Sequence, residues 1–437
     1  MKTAIPFIFI FAILLSACEM RVSNDTRQSS FPTGKAEQQM IDTHANTAIS
    51  HPFPQHTRYV DGSILPNHRS QDQLDNDIKE FYDYWKSTYV VKEGEDSEGR
   101  PIYRIAFASS GEGHQQTVSE GQGFGMTILP VMAGYDPEAQ ILFDGLWYFT
   151  RLHPSEVDPR LMDWKVPESI DGDDSAFDGD ADMALGLLMA DAQWGSQGAI
   201  DYKSEALKLI EGIKDSTIGM DSHLPMLGDW VGEGDEEYNQ YTPRSSDFML
   251  VNFRAFANIT KDDSWNEVVK ASQMTMRSIQ TNYSPDTGLL PDFIVSSGEE
   301  FIPKPAPPNF LEGVDDGHYS YNAGRDPWRV GADALLNGDE TSKEIVLKIS
   351  HWAEQVTNGD PTGFRAGYSL EGIPLEDSDY FTTFFVAPLG VAAMLDPNQQ
   401  AWLNAIYDAV KDTHEDYYED SVTLLCLIVM TGNAWTP

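Results

Sequence analysis

Three stretches of the sequence place carboxylates where they could carry chemistry. They are SEGQGFGM with Glu120, SAFDGDADMALGLLMADAQWG with Asp178, Asp180 and Asp182, and YSYNAGRDPWRVGADALL with Asp326. Carboxylates act as general acids and bases, and a pair of them can cleave a glycosidic bond. Aromatic side chains, whose flat faces stack on sugar rings, stand near these acids. The combination indicates chemistry on a carbohydrate, and the candidate sugar-binding aromatics are Phe124, Trp164, Tyr319, Tyr321 and Trp328.

The first stretch opens an apolar segment with one acid and three glycines. Glu120 is followed by glycines at 121, 123 and 125, and then by MTILPVMAGY, which has the composition of a buried helix. Each glycine lowers the stability of a helix by roughly 1 kcal/mol relative to alanine, so the presence of three glycines here requires an explanation. They would let a bulky ligand approach the backbone beside Glu120. Without a ligand, Glu120 would be an ordinary acid at a helix N-terminus, where the helix dipole favours it.

The second stretch alternates three aspartates before a long apolar helix. One aspartate is enough to cap a helix, and the alternation also suggests a calcium loop. An EF-hand loop requires glycine at its sixth position and an acid at its twelfth, and this segment has neither. We therefore predict no metal site here and no cofactor.

The third stretch surrounds one aspartate with two arginines. Asp326 lies between Arg325 and Arg329, and Pro327 suits the first position of a helix. Two neighbouring positive charges would keep Asp326 ionised, as a general base must be. The same arrangement would also serve as a structural ion pair.

The elements that must position these residues are helices. Within residues 71–90, large apolar side chains recur every three or four positions, which marks one helical face. Similar segments begin near residues 119, 139, 178, 202, 246, 263, 325, 341, 381, 399 and 416. About twelve helices and few strand patterns predict an all-α domain from residue 48 to 437. Helices that are apolar on most sides, such as TFFVAPLGVAAML, suit the inner ring of a two-layered barrel.

The charge of the chain excludes two classes of partner. Its 437 residues include 69 acidic and 29 basic ones, for a net charge of −40. Such a surface repels the phosphates of nucleic acids and of anionic lipids, and it would attract a polycationic substrate. We expect a monomer that binds no nucleic acid and meets a membrane only through a lipid anchor.

The N-terminus has the features of an export signal. Lys2 precedes an apolar run that is too short to span a bilayer, and the run ends in LSAC. This ending is similar to a bacterial lipobox, so we predict a signal peptide over residues 1–17 and lipidation of Cys18. Residues 18–47 are polar and predict a flexible tether. Glu19, in place of aspartate after the lipidated position, favours the outer membrane. An ordinary secretory signal is the alternative.

Taken together, the three acidic stretches resemble the inverting glycoside hydrolases of family 8. The resemblance runs from about residue 51 to the C-terminus, although Phe177 and Gly186 depart from the family signature. It implies an (α/α)6 barrel, Glu120 as general acid, and Asp178 as the carboxylate that contacts the distorted sugar. The family includes cellulases, lichenases, chitosanases and xylanases.

The resemblance leaves two candidates for the general base. One branch of the family uses an aspartate three residues before an arginine, which favours Asp326 here, oriented by Arg329. Another branch, rich in chitosanases, uses a glutamate in the preceding loop, where this chain has Glu312. We expect an endo-acting β-1,4-glucanase with Asp326 as base. The alternatives are a chitosanase with Glu312 as base, a xylanase, and a glycan-binding lipoprotein that has lost catalysis.

Overall fold

Twelve α-helices form the framework of the computed structural model, which describes residues 49–167, 173–234, 236–296 and 302–437. In chain order, the helices of these described residues are α1 Gln71–Tyr89, α2 Ser119–Met132, α3 Ala139–Leu152, α4 Phe177–Trp194, α5 Tyr202–Thr217, α6 Leu250–Thr260, α7 Ser264–Asn282, α8 Asp326–Asn337, α9 Glu340–Val356, α10 Thr383–Ala393, α11 Gln400–Val410 and α12 Tyr417–Met430. The predicted all-α class is therefore confirmed.

The even-numbered helices form a closed inner ring. Each packs against the next, from α2 to α4, α6, α8, α10 and α12, and α12 packs back against α2. The odd-numbered helices lie outside this ring, each against at least one inner helix. This arrangement is the predicted (α/α)6 barrel.

Sequence patterns explain which helices lie inside. Every residue of α10, TFFVAPLGVAA, is buried, because an inner helix has neighbours on all sides. The outer helix α7 instead buries one face, whose members follow a spacing of three or four residues. They include Trp265, Val268, Val269, Ser272, Met276 and Ile279.

The starts of the inner helices gather at one end of the barrel. Each outer helix returns the chain to this end, and long segments such as those before α4, α6 and α8 cover it. Within the described residues, three short antiparallel sheets lie in the connecting segments. They pair β1 Val90–Glu95 with β2 Pro101–Ile105, β3 Thr117–Val118 with β4 Lys165–Val166, and β5 Ile294–Ser296 with β6 Pro303–Pro305.

The glycines of the first stretch serve helix packing. A Cβ atom on Gly123 would lie 2.7 Å from the Cβ of Asp182 and 2.9 Å from the carbonyl oxygen of Gly179. A Cβ on Gly125 would lie 2.8 Å from Leu146, and one on Gly121 would lie 2.9 Å from the hydroxyl of Tyr417. The expectation that these glycines make room for a ligand is therefore wrong: neighbouring protein elements occupy the space.

No helix in the described ranges is long and apolar enough to cross a membrane. The predicted signal peptide, Cys18 and the tether up to residue 47 lie outside the described residues. Cys426 is a free and fully buried thiol in α12.

Candidate active site

Glu120, the second residue of α2, is held at the rim of the barrel by two donors. Its Oε2 accepts a hydrogen bond of 2.6 Å from Arg325 Nη1, and its Oε1 accepts one of 3.1 Å from the hydroxyl of Tyr417. Burial raises the pKa of Glu120 to about 7, with a further increase from the negative charge of Asp178, while Arg325 opposes the rise. A carboxyl group with this pKa carries a proton that it can donate near neutral pH.

Asp178, at the start of α4, shares the same arginine. Its Oδ2 lies 2.7 Å from Arg325 Nη1 and 3.1 Å from Arg244 Nη2. Burial alone would raise the pKa of Asp178, but the two guanidinium groups hold it well below its usual value. The site thus pairs one carboxylate whose pKa is lowered with one carboxyl group whose pKa is raised, and Arg325 lies between them.

The other two aspartates of the second stretch point elsewhere. Asp180 accepts a hydrogen bond of 3.0 Å from the backbone N–H of Met162. Asp182 forms a bidentate ion pair with Arg329, with distances of 2.9 and 2.6 Å. Asp180 faces away from Asp178 and Asp182, and Asp182 is paired with Arg329, so the three carboxylates do not surround one ion. Among the described residues, no group of three or more His, Cys, Asp or Glu side chains is arranged to hold a metal.

Asp326 differs from its sequence prediction. Its side chain is buried, with 1 % of the residue exposed. Oδ2 accepts a 2.9 Å hydrogen bond from Ser245, and Oδ1 has no hydrogen-bond partner in the part of the chain that the structure describes. Burial raises its pKa well above the usual value. The expectation that two arginines keep it ionised is wrong, because Arg325 donates to Glu120 and Asp178. Arg329 pairs with Asp182, so it does not orient Asp326 as expected.

Glu312 instead presents an exposed carboxylate to the site. Its Oε2 accepts a hydrogen bond of 2.8 Å from the side-chain amide of Asn322. The amide oxygen of Asn322 in turn accepts bonds from Arg325 Nη2 at 3.0 Å and Arg244 Nη1 at 3.4 Å. A continuous chain of hydrogen bonds therefore joins Glu312 to Glu120 through Asn322 and Arg325.

A cleft extends to both sides of Glu312. On one side lies a pocket of about 450 Å³, and on the other a pocket of about 550 Å³ that also contains Glu120. Glu312 lines both, and Asp326 lines neither. Aromatic side chains line the first pocket at Trp164, Trp230 and Tyr238, and the second at Phe107, Tyr321, Tyr417 and Tyr418.

The cleft includes two of the five aromatics predicted to bind sugar. Trp164 and Tyr321 line it, and Tyr321 stacks on Phe384 at a ring-centre distance of 5.3 Å. The other three are buried, so their predicted contact with a ligand is wrong. Tyr319 packs against Phe385, and Phe124 packs edge-on against Trp328 inside the barrel.

Sequence reasoning missed Arg244, Asn322, Tyr417 and Tyr418. Asn322 carried a usable signal, because it stands three residues before Arg325, the arginine that reaches Glu120. That spacing matches the one assigned to Asp326 and Arg329. Arg244 and the two tyrosines come from segments far away in the chain and had no signal of their own.

Comparison with known proteins agrees with this geometry. The family model described as glycosyl hydrolases family 8 matches residues 70–432. A β-glucanase of Niallia circulans is 40% identical over 396 residues, which cover 90% of this chain and 93% of that protein. An endoglucanase of Bacillus sp. (strain KSM-330) is 37% identical over 392 residues, 88% of this chain and 82% of that protein.

Solved structures give the same result. The apo structure of a β-1,3-1,4-glucanase from Paenibacillus sp. X4 is 40% identical and superposes with a TM-score of 0.83, over 89% of this chain and 100% of that one. A reducing-end xylose-releasing exo-oligoxylanase is 20% identical, with a TM-score of 0.66 over 84% of this chain and 93% of that one. The second likeness concerns the fold alone.

Proposed function

Because this chain belongs to the glycosyl hydrolases of family 8 and is therefore a glycoside hydrolase, we propose that it cleaves β-linked glucans internally, with inversion at the anomeric carbon. One observation carries this proposal: the carboxyl groups of Glu120 and Glu312 line one pocket, and a second pocket continues the cleft beyond Glu312. A cleft open in both directions suits binding in the middle of a polysaccharide.

In the proposed reaction, Glu120 is the general acid. Its raised pKa lets it give a proton to the glycosidic oxygen as the bond to the anomeric carbon breaks. Asp178 stays ionised between Arg325 and Arg244. Its negative charge helps Glu120 to keep its proton and stabilises the positive charge that develops on the distorted sugar.

Glu312 is the proposed general base, in place of Asp326. It takes a proton from the water that attacks the anomeric carbon from the face opposite the departing oxygen. An inverting enzyme needs room for this water between its two carboxyl groups. The intervening side chains of Arg325 and Asn322 support such a separation. Asp326 is unsuited to the role because it is buried and has a raised pKa.

The glucan specificity rests on relatives of near full length. The two curated relatives and the 40% identical structure are named as a β-glucanase, an endoglucanase and a β-1,3-1,4-glucanase. We therefore propose β-1,4-linked glucan, including mixed-linkage glucan, as the substrate. No other protein is proposed as a partner, and the enzyme acts as a monomer.

Chitosan is a second candidate substrate. The carboxylates of Asp174 and Glu312 line the pocket that also contains Trp164 and Trp230, and the chain has a net charge of −40. Carboxylates beside stacking aromatics favour an aminosugar. Reducing-sugar release from carboxymethyl cellulose, mixed-linkage glucan, chitosan and xylan compares the candidates directly. Release from none of them would favour a glycan-binding protein without catalysis.

The location of the enzyme is also a proposal. The lipobox-like LSAC supports export and lipidation at Cys18, followed by attachment to the outer membrane through this anchor. The polar residues 18–47 would then separate the catalytic domain from the lipid surface.

The stereochemistry of the first product tests the mechanism. Direct attack by water gives the α-anomer from a β-linked substrate, and proton NMR within minutes of mixing detects it before mutarotation. Early β-anomer would contradict the inverting mechanism. In the same assay, Glu120→Gln should lose activity on polysaccharide, because the departing oxygen receives no proton.

A further inference from the structure

The loop that carries Glu312 is anchored by Phe310, which packs against Tyr238 and Phe293, but the large side chains that follow Phe310 are exposed. Leu311 is 40% exposed and Val314 is 63% exposed, and Glu312 itself is exposed. The side chain of Phe310 is buried, and its carbonyl oxygen accepts a hydrogen bond of 2.8 Å from the hydroxyl of Tyr238. A base must hold its attacking water in one place, so this exposed backbone needs another source of rigidity.

Asp316 supplies one clamp. Its Oδ2 accepts the backbone N–H groups of Leu311 at 2.7 Å and Glu312 at 3.1 Å, and its Oδ1 accepts that of Gly313 at 2.8 Å. The residue is 3% exposed. One buried carboxylate therefore binds three consecutive backbone groups with Glu312 at their centre.

Asp292 supplies a second clamp, on the partner of Glu312. Its Oδ1 accepts the backbone N–H groups of Ser320 at 3.0 Å, Asn322 at 3.2 Å and Ala323 at 2.7 Å. It is 5% exposed. This aspartate thus fixes the turn from which Asn322 reaches Glu312.

The two clamps are joined to each other. Phe293, next to Asp292 in the chain, donates its backbone N–H to the carbonyl oxygen of Asp316 at 2.9 Å. We propose that Asp316 and Asp292 are positioning residues for the general base, each holding one partner of the hydrogen bond between Glu312 and Asn322. The inference rests on the proposed role of Glu312, and neither aspartate is required to touch the substrate.

A double-mutant cycle tests this inference. Asp316→Asn leaves one acceptor oxygen, because the amide nitrogen cannot accept, so part of the clamp is lost. We expect kcat to fall by about 10- to 100-fold with KM nearly unchanged, as a displaced catalytic group does. In a Glu312→Gln background the same substitution should change kcat by less than about twofold, since residues that act as a unit are not additive.

Asp136→Asn is the matched structural control. Asp136 is also buried and also holds a loop, through the N–H of Glu138 at 2.9 Å, but it follows α2 at the end of the barrel away from Glu120. This variant should lower the thermal midpoint without a specific loss of kcat. Any small change in its kcat should be the same in the wild-type and the Glu312→Gln backgrounds.

The outcomes separate the two proposals. If Glu312→Gln loses most of its activity and adding Asp316→Asn lowers the remaining kcat by the same factor as in the wild type, the clamp is merely structural and this inference is overturned. If Glu312→Gln keeps wild-type activity, Glu312 is not the base, and the inference that Asp316 and Asp292 position the base is overturned as well. Should Asp316→Asn not fold, Asp292→Asn replaces it in the same double-mutant cycle. Its effect on kcat should again be much smaller in the Glu312→Gln background than in the wild type.

Discussion

The side-chain amide of Asn322 donates a 2.8 Å hydrogen bond to Glu312 while its oxygen accepts from Arg325. Arg325 can only donate, so the oxygen of Asn322 must face it and the amide nitrogen must face Glu312. The orientation of the proposed base is therefore tied to the arginine that also holds Glu120. One amide connects the two halves of an acid–base pair.

Removing the side-chain amide of Asn322 should impair the function of Glu312 as a base, although the carboxylate of Glu312 itself remains. Asn322→Ala deletes the donor to Glu312 and an acceptor of Arg325, so Glu312 loses its fixed orientation. We expect kcat to fall by up to about 10²-fold, with a smaller change in KM. Asn282→Ala, at an exposed amide at the end of α7, is the control and should behave as wild type. Unchanged kcat in Asn322→Ala would show that Glu312 needs no such support.

The surroundings of Asn322 show where sequence reasoning succeeded and where it failed. The motifs led to Glu120 and Asp178, which the structure brings to one arginine, and helical periodicity led to the barrel. In the third stretch, an amide or acid stands three residues before an arginine at two places, Asn322–Arg325 and Asp326–Arg329. The two pairs lie about one helical turn apart. Sequence gave no means to tell which arginine enters the cleft. Only the fold directs Arg325 into the site and Arg329 to Asp182.

The pH dependence should report the proton on Glu120. The general acid must be protonated, so activity is present below its pKa of about 7 and is lost as pH rises through it. Tyr417 donates to the ionised form and lowers this pKa. Tyr417→Phe should therefore move the alkaline limb of kcat/KM to higher pH.

A second tyrosine provides the control for this shift. Tyr82 donates to the buried Asp136 and has no contact with Glu120 among the described hydrogen bonds. Tyr82→Phe should therefore leave the pH profile in place, even where it lowers stability. An alkaline limb that moves to lower pH in Tyr417→Phe would contradict the assignment of Glu120 as the acid.

The glycines of α2 should be required for folding stability. A methyl group on Gly123 would overlap Asp182 and the backbone of Gly179, and neither can move without shifting α4. Overpacking of this kind costs about 1–3 kcal/mol, so Gly123→Ala should lower the thermal midpoint of unfolding. Gly198→Ala is the matched control, since no atom lies within 4 Å of its Cβ position. Equal midpoints for the two variants would contradict the packing explanation.

Lipidation can be tested independently of catalysis. Cys18→Ser removes the only thiol that the lipobox-like LSAC offers for modification. The variant should leave the membrane fraction and keep wild-type kcat, because the catalytic domain is unchanged. Retention in the membrane pellet after a high-salt wash would contradict the lipoprotein proposal. Wild-type protein treated in parallel gives the reference.

Two isosteric substitutions should distinguish the candidate bases. Glu312→Gln cannot take a proton from water, and general-base assistance is typically worth about 10²–10⁴-fold, so kcat should fall by that range. Asp326→Asn should keep kcat within about tenfold, because burial already favours the uncharged acid that asparagine resembles. Circular dichroism on both variants checks the fold.

Azide should restore turnover to a variant that lacks only the base. In Glu312→Ala the shortened side chain leaves space on the face where water attacks, and azide needs no proton removed before it reacts. It would form a bond to the anomeric carbon as the glycosidic bond breaks, while Glu120 still protonates the departing oxygen. The product from a β-linked substrate is then an α-glycosyl azide, which NMR or mass spectrometry identifies. Asp326→Ala should give no azide product, because its buried side chain lines neither pocket of the cleft. Azide product from Asp326→Ala alone would return the base to Asp326.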